Sequence, residues 1–162
     1  MYSIVYVCTG NTCRSPMAEG ILRTLLAKSG IEDVDVSSAG IGTLDGYPAT
    51  HHAVEISRRN QIDISGHHST RMTDRIFRES DLVFALAENH FEVLKNWQDA
   101  DKKLYMVKAF PEPGHGDARH SVDDPVGGSL EEYKVTFEEI YSEINRALPD
   151  IIRRIENHRQ TP

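Results

Sequence analysis

The sequence predicts a small open α/β sandwich of three layers, a four-stranded parallel sheet flanked by helices. Three observations carry this. Short β-branched or apolar runs alternate with segments of helical periodicity, the order that builds a parallel sheet through crossover helices. The run Leu82 to Ala87 (LVFALA) is apolar throughout, as a strand covered on both faces must be. The length of 162 residues, with 39% apolar and 27% charged side chains, suits a single domain over residues 1–162 that buries about two-thirds of its unfolded surface.

Ser3 to Val7 (SIVYV) reads as the first strand and stops before Gly10. Met17, Ile21, Leu22, Leu25 and Leu26 then recur at helical spacing, with Ser15 as N-cap, Pro16 in the first turn, where a missing N–H costs nothing, and Gly30 past the end. Val34 to Ala39 is a second strand, followed by a loop with Gly40, Gly42, Gly46 and Pro48 and a helix from about Ala49 to Asn60. After the third strand, Leu82 to Ala87, come a helix over Glu88 to Asp99 and a fourth strand over Leu104 to Val107. Phe110 to Gly128, with three prolines and four glycines, is too long for a mere connector. Ser129 and Glu132 stand at capping-box spacing before a long amphipathic helix marked by Tyr133, Phe137, Ile140, Tyr141, Ile144 and Leu148, which Pro149 should kink or restart. No repeat or low-complexity segment interrupts this order.

Charge narrows the partners. Lys and Arg total 18 against 25 Asp and Glu, and a net charge of −7 argues against nucleic acid and against an anionic membrane, so any phosphate site has to be local. No apolar run approaches the roughly 18 residues of a membrane span, and Met1 to Val7 has neither a basic start nor a cleavage site, so a cytoplasmic location is expected. Cys8 and Cys13 are the two cysteines, too few for a disulfide framework or a four-cysteine zinc site. Adjacent pairs such as His51–His52 and His67–His68 diverge on any regular element and make poor metal ligands.

The closeness of Cys8 and Cys13 therefore asks for chemistry. In an open α/β sheet ligands bind beyond the carboxyl ends of the strands, and Cys8 sits there, in a loop feeding a helix N-terminus. Cys8-Thr9-Gly10-Asn11-Thr12-Cys13-Arg14 is long enough to wrap a tetrahedral anion, with Gly10 and Asn11 as candidates for left-handed backbone and Arg14 as a planar fork for two oxygens. Helix dipole, loop amides and Arg14 would all favour a Cys8 thiolate. The ordinary alternative is a buried cysteine in a glycine-containing turn. Neither G-x-G-x-x-G nor G-K-[ST] occurs, which disfavours dinucleotide and nucleoside triphosphate sites. A thiolate attacking phosphorus needs an acid for the leaving group and a base for water, and Asp123-Asp124-Pro125 in the long loop can supply both, although alone it would read as a turn.

At these residues the sequence resembles the low-molecular-weight protein tyrosine phosphatase family. Val7 to Glu19, VCTGNTCRSPMAE, is similar to its N-terminal signature nearly throughout, and Asp124-Pro125 resembles its general-acid pair. The resemblance implies a metal- and cofactor-independent hydrolase that takes a phosphorylated protein substrate through a phosphocysteine and releases inorganic phosphate. It makes Cys8 the nucleophile, Arg14 the phosphate clamp and Asp124 the acid and then the base, with Thr9, Gly10, Asn11, Thr12, Cys13, Arg14 and Ser15 as the phosphate-binding loop. Asn11, Ser15, Ser38 and His67 would stabilise that loop from behind, Ser15 by a hydrogen bond to the thiolate. Cys13, five residues after Cys8, is a candidate partner for a protective reversible disulfide.

Two positions bear on specificity. Position 12 is Thr, where phosphotyrosine enzymes of this family usually carry a branched aliphatic residue, and Val126-Gly127 stands where they usually carry aromatic side chains. The TGNT loop and the DPVGGS segment resemble instead the bacterial protein-arginine phosphatase branch, whose counterpart has Phe at the place of Val126. A guanidinium offers N–H donors that a hydroxyl and an acidic loop answer better than an aliphatic wall does. Phosphoarginine is thus the favoured substrate and phosphotyrosine the alternative. Arsenate reduction on the same loop needs further cysteines, none of which follows Cys13, and a non-enzymatic oxyanion-binding module would need neither Arg14 nor the Asp124 loop.

Overall fold

The computed structural model describes residues 1–113 and 116–160; residues 114 and 115 of the long loop and the last two residues lie outside it. Four strands, β1 (Tyr2–Cys8), β2 (Val34–Gly40), β3 (Leu82–Ala85) and β4 (Leu104–Met106), form one all-parallel sheet in the order β2-β1-β3-β4. β1 and β3 are the interior strands and are apolar on both faces: Ile4, Tyr6, Leu82 and Phe84 face one core, Val5, Val7, Val83 and Ala85 the other. Strand order reverses between β1 and β3, and such a crevice is where an open α/β sheet accepts a ligand.

The first core lies under α1 (Arg14–Lys28), α2 (His51–Arg59) and α6 (Leu130–Gln160). The second, smaller core is covered by α3 (Asp74–Glu79), α4 (Glu88–Leu94) and α5 (Ala100–Lys103), through Phe77, Phe91, Leu94 and Ala100. No helix among the described residues is long and apolar enough to cross a membrane.

Four sequence expectations change. α1 opens two residues earlier than expected, with Cys13 and not Ser15 at the N-cap, because the Ser15 hydroxyl has other partners; Pro16 still falls in the first turn, where no N–H is needed. The helix expected over Glu88 to Asp99 ends as α4 at Leu94, and a separate α5 begins after Asp99, which adopts a left-handed φ of 62°. α3, six residues with Thr73 as N-cap, was not expected, being too short to show a period. Pro149 does not restart a separate helix: α6 runs on through it. Pro149 and Asn145, whose carbonyl loses its donor, are both exposed, while Ile144, Ala147, Ile151 and Ile155 stay buried on the opposite face. The capping box is present, Glu132 N–H donating to the Ser129 hydroxyl and Ser129 N–H to the Glu132 carboxylate.

Candidate active site

β1 ends at Cys8 and α1 begins at Arg14, so residues 9–13 must reverse the chain within five residues. The left-handed residue of that turn is Asn11, at φ 53°, whereas Gly10 needs no positive φ. Asn tolerates this conformation when its side chain is fixed, and here every polar group of the amide is used. Asn11 Oδ1 accepts from Thr70 N–H at 2.8 Å, and Nδ2 donates to Ser15 Oγ at 2.7 Å and to Ser38 Oγ at 2.9 Å. The loop also leans on the end of β2: Gly42 N–H donates to Thr9 O, and a Cβ on Gly40 would stand 2.5 Å from that oxygen, so only glycine fits there.

These bonds form one directed chain. Ser38 Oγ donates to the Glu19 carboxylate at 2.6 Å and accepts from Asn11. Ser15 Oγ, already accepting from Asn11, turns its proton to Cys8 Sγ at 2.9 Å, and Asn11 N–H reaches the same sulfur at 3.2 Å. His67 Nε2 lies 2.7 Å from the Asn11 carbonyl, which can only accept, so that nitrogen carries a proton. The four supporting residues expected from the sequence, Asn11, Ser15, Ser38 and His67, are thus brought together.

Cys8 is 3% exposed. Burial pushes its thiol pKa up, while the Ser15 hydroxyl, Arg14 and the Asn11 N–H pull it down. Desolvation outweighs these donors, so the thiol stands above its ordinary value and the low pKa expected from helix dipole, loop amides and Arg14 is reversed by a burial that no local pattern reveals.

Across the loop, Arg14, 5% exposed, donates from Nη1 to Val122 O at 2.9 Å and pairs through Nη2 with Asp124 Oδ2 at 3.3 Å. The Asp124 carboxylate also accepts from Val126 N–H at 3.1 Å, and Gly127 takes the left-handed φ of 77° that turns the chain toward α6. Residues 8–14, Asp124 and Val126 together line a cavity of about 180 Å³, with Val126 exposed at its rim. A sulfur on the floor, a guanidinium in the wall and a carboxylate at the rim are the parts needed to hold a tetrahedral oxyanion, attack it and move a proton.

The sequence reading missed several contributors. Glu19, the last residue of the quoted signature segment, ends the hydrogen-bond chain and pairs with Arg23 at 2.9 Å. Tyr133 Oη stands 3.1 Å from Cys13 Sγ and accepts from Thr50 Oγ1 at 3.2 Å, tying α6 and the start of α2 to the loop; burial, with the bonded Cys13, pushes its phenol up to about 12, so it remains a donor. His90, fully buried in α4, puts Nε2 2.9 Å from Thr9 Oγ1. Tyr133 and Phe137 mark a core face in the sequence, and nothing in that pattern separates the side chain that also touches sulfur from the one that does not.

Comparison with known proteins agrees with this geometry. The family model described as low molecular weight phosphotyrosine protein phosphatase matches residues 3–161. Protein-arginine-phosphatase of Bacillus subtilis is 36% identical over 141 residues, covering 85% of this chain and 88% of its own length. Arsenate reductase 2 of Staphylococcus saprophyticus is 35% identical over 144 residues, covering 89% of this chain and 94% of its own. The solved low molecular weight protein tyrosine phosphatase from T. tengcongensis is 36% identical, with a TM-score of 0.82 over 93% of this chain and 99% of that one. The match takes in the Cys8 loop, the Asp124 loop and the helix between Ser129 and the last described residues, and by it the chain belongs to the low molecular weight phosphotyrosine protein phosphatase family.

Proposed function

We propose that this phosphatase hydrolyses phosphoarginine side chains of proteins, with Cys8, Arg14 and Asp124 carrying the chemistry. In the first step Cys8 Sγ attacks phosphorus, the P–N bond to the guanidinium breaks, and protonated Asp124 gives its proton to the leaving nitrogen. In the second, Asp124 carboxylate takes a proton from water as that water attacks the phosphocysteine, releasing inorganic phosphate and restoring the thiolate. Arg14 grips the equatorial oxygens with a fork that a point charge cannot copy.

The observation that carries the arginine reading is Thr12, a half-buried hydroxyl in the cavity wall where an aliphatic side chain would suit a phenyl ring. Among the described residues its Oγ1 makes one long contact, 3.8 Å to Cys13 Sγ, which leaves it capacity for a guanidinium N–H. The name of the Bacillus relative supports the same reading. Phosphotyrosine is the second reading, favoured by the apolar rim residue Val126, 61% exposed beside the cavity. Arsenate reduction by a cysteine relay is poorly served by a sequence with no cysteine beyond Cys13. Paired assays on peptides that differ only in phosphoarginine or phosphotyrosine test the reading: a higher kcat/KM on phosphoarginine is expected, and a preference for phosphotyrosine overturns it.

A further inference from the structure

The mechanism above gives no part to His90 or to the hydroxyl of Thr9, yet a hydrogen bond between them joins the Cys8 loop to α4. They face each other across the crevice between β1 and β3, Thr9 following β1 directly and α4 following β3. Thr9 is half-buried and lines the cavity; His90 is fully buried behind it.

The other ring nitrogen settles the direction of their bond. His90 Nδ1 is buried and finds no hydrogen-bond partner among the described residues. Burial and the charge of Arg14 hold the ring pKa down to about 3, so the imidazole is neutral and one nitrogen alone bears hydrogen. Were it Nδ1, the fold would bury an N–H with nothing to accept it, which native structures avoid more strictly than a bare acceptor. The proton therefore belongs on Nε2, and Nε2–H donates to Thr9 Oγ1. A hydroxyl that accepts there keeps its own hydrogen for another partner, and its carrier lines the cavity. From this we infer that Thr9 is a further binding residue, whose hydroxyl donates to a phosphoryl oxygen, and that His90 is a positioning residue which fixes that hydroxyl by occupying one of its lone pairs.

The inference rests on the reading of this cavity as the phosphate site, but its tests separate from that reading. Nitrogen-15 NMR of the wild-type protein at neutral pH should show hydrogen on His90 Nε2 and a bare Nδ1; hydrogen on Nδ1 overturns the inference whatever the enzyme does. Inorganic phosphate titrated by calorimetry should bind Thr9→Val and His90→Leu each about ten-fold more weakly than wild type, the scale of one hydrogen bond to a charged group. The double variant should lose no more than either single one, because both remove the same bond. Thr9→Ser and His90→Gln, which keep a hydroxyl and a donor at the Nε2 position, should restore most of the affinity. A merely structural His90 predicts a lower melting temperature for His90→Leu with unchanged phosphate affinity, and that result, or undiminished affinity in Thr9→Val, overturns the inference. Should His90→Leu not fold, Thr9→Val and the tautomer decide alone. Phosphate binding without turnover of p-nitrophenyl phosphate would instead count against the phosphatase chemistry.

Discussion

Arg14 Nη2 stands 3.3 Å from Asp124 Oδ2, so the buried guanidinium of one loop holds the half-exposed carboxylate of the other over a shared cavity. The remaining terminal nitrogen, Nη1, holds the Asp124 loop as well, through Val122 O at 2.9 Å.

Asp124→Asn removes the proton donor and the base together. Turnover of substrates with poor leaving groups should fall by roughly 10²- to 10⁴-fold, the usual worth of a positioned acid or base. For a good leaving group such as p-nitrophenolate the first step needs no proton, so a burst of phenolate should precede a slow steady state limited by phosphocysteine hydrolysis. Stopped-flow traces across a series of phenols check this; equal losses along the series with no burst would remove Asp124 from both roles.

Thr12→Ile should move the preference from phosphoarginine toward phosphotyrosine. One hydroxyl exchanged for apolar surface is worth about 1 to 3 kcal/mol between two ligands, a change of about ten-fold to a hundred-fold in the ratio of kcat/KM values. An unchanged ratio would show that Thr12 does not read the group attached to phosphorus.

Ser15→Ala takes away the hydroxyl 2.9 Å from Cys8 Sγ. Burial already raises this thiol pKa and Ser15 is first among the groups lowering it, so the variant should titrate higher still. A hydrogen bond to a charged group is worth about 1.5 to 3 kcal/mol, or about one to two pKa units. The pH midpoint of iodoacetate alkylation should rise by that amount, lowering the thiolate fraction at neutral pH. A midpoint that stays in place would show that the Ser15 proton points elsewhere.

His90 makes stability depend on pH in the mildly acidic range. Its folded pKa of about 3 lies below the unfolded value of 6.5, so between these pH values the unfolded chain binds the extra proton. The contribution is complete above 6.5 and declines as pH falls toward 3, by about 1.4 kcal/mol per pH unit at full slope. Urea unfolding of His90→Gln should lack this decline, so its stability relative to wild type should improve steadily on acidification below 6.5. Parallel curves for the two proteins would mean that His90 titrates alike folded and unfolded.

The parallel sheet, the loop from Cys8 to Arg14 and the Asp124-Pro125 segment were legible because each is written in contiguous residues: apolar runs of strand length, a cysteine at a strand end, a proline after a carboxylate. What stayed hidden depends on distant pairs. Ser15 beside Pro16 looks like a helix cap until Cys8 and Asn11 claim its hydroxyl. Gly10 looks like the left-handed residue until Thr70, Ser15 and Ser38 are seen to hold Asn11 there. His90 sits among ordinary helix residues, and only the parallel pairing of β3 beside β1 carries α4 to Thr9.

The parts of the site stand far apart in the order of synthesis. Cys8 and its loop precede Val122, Asp124 and Tyr133, which bind Arg14 and Cys13, by more than a hundred residues. A nascent chain that stops short of Val122 lacks both groups that hold the Arg14 guanidinium in place. The arrangement of the site therefore exists only once the chain has passed Tyr133 and α6 has docked against Cys13.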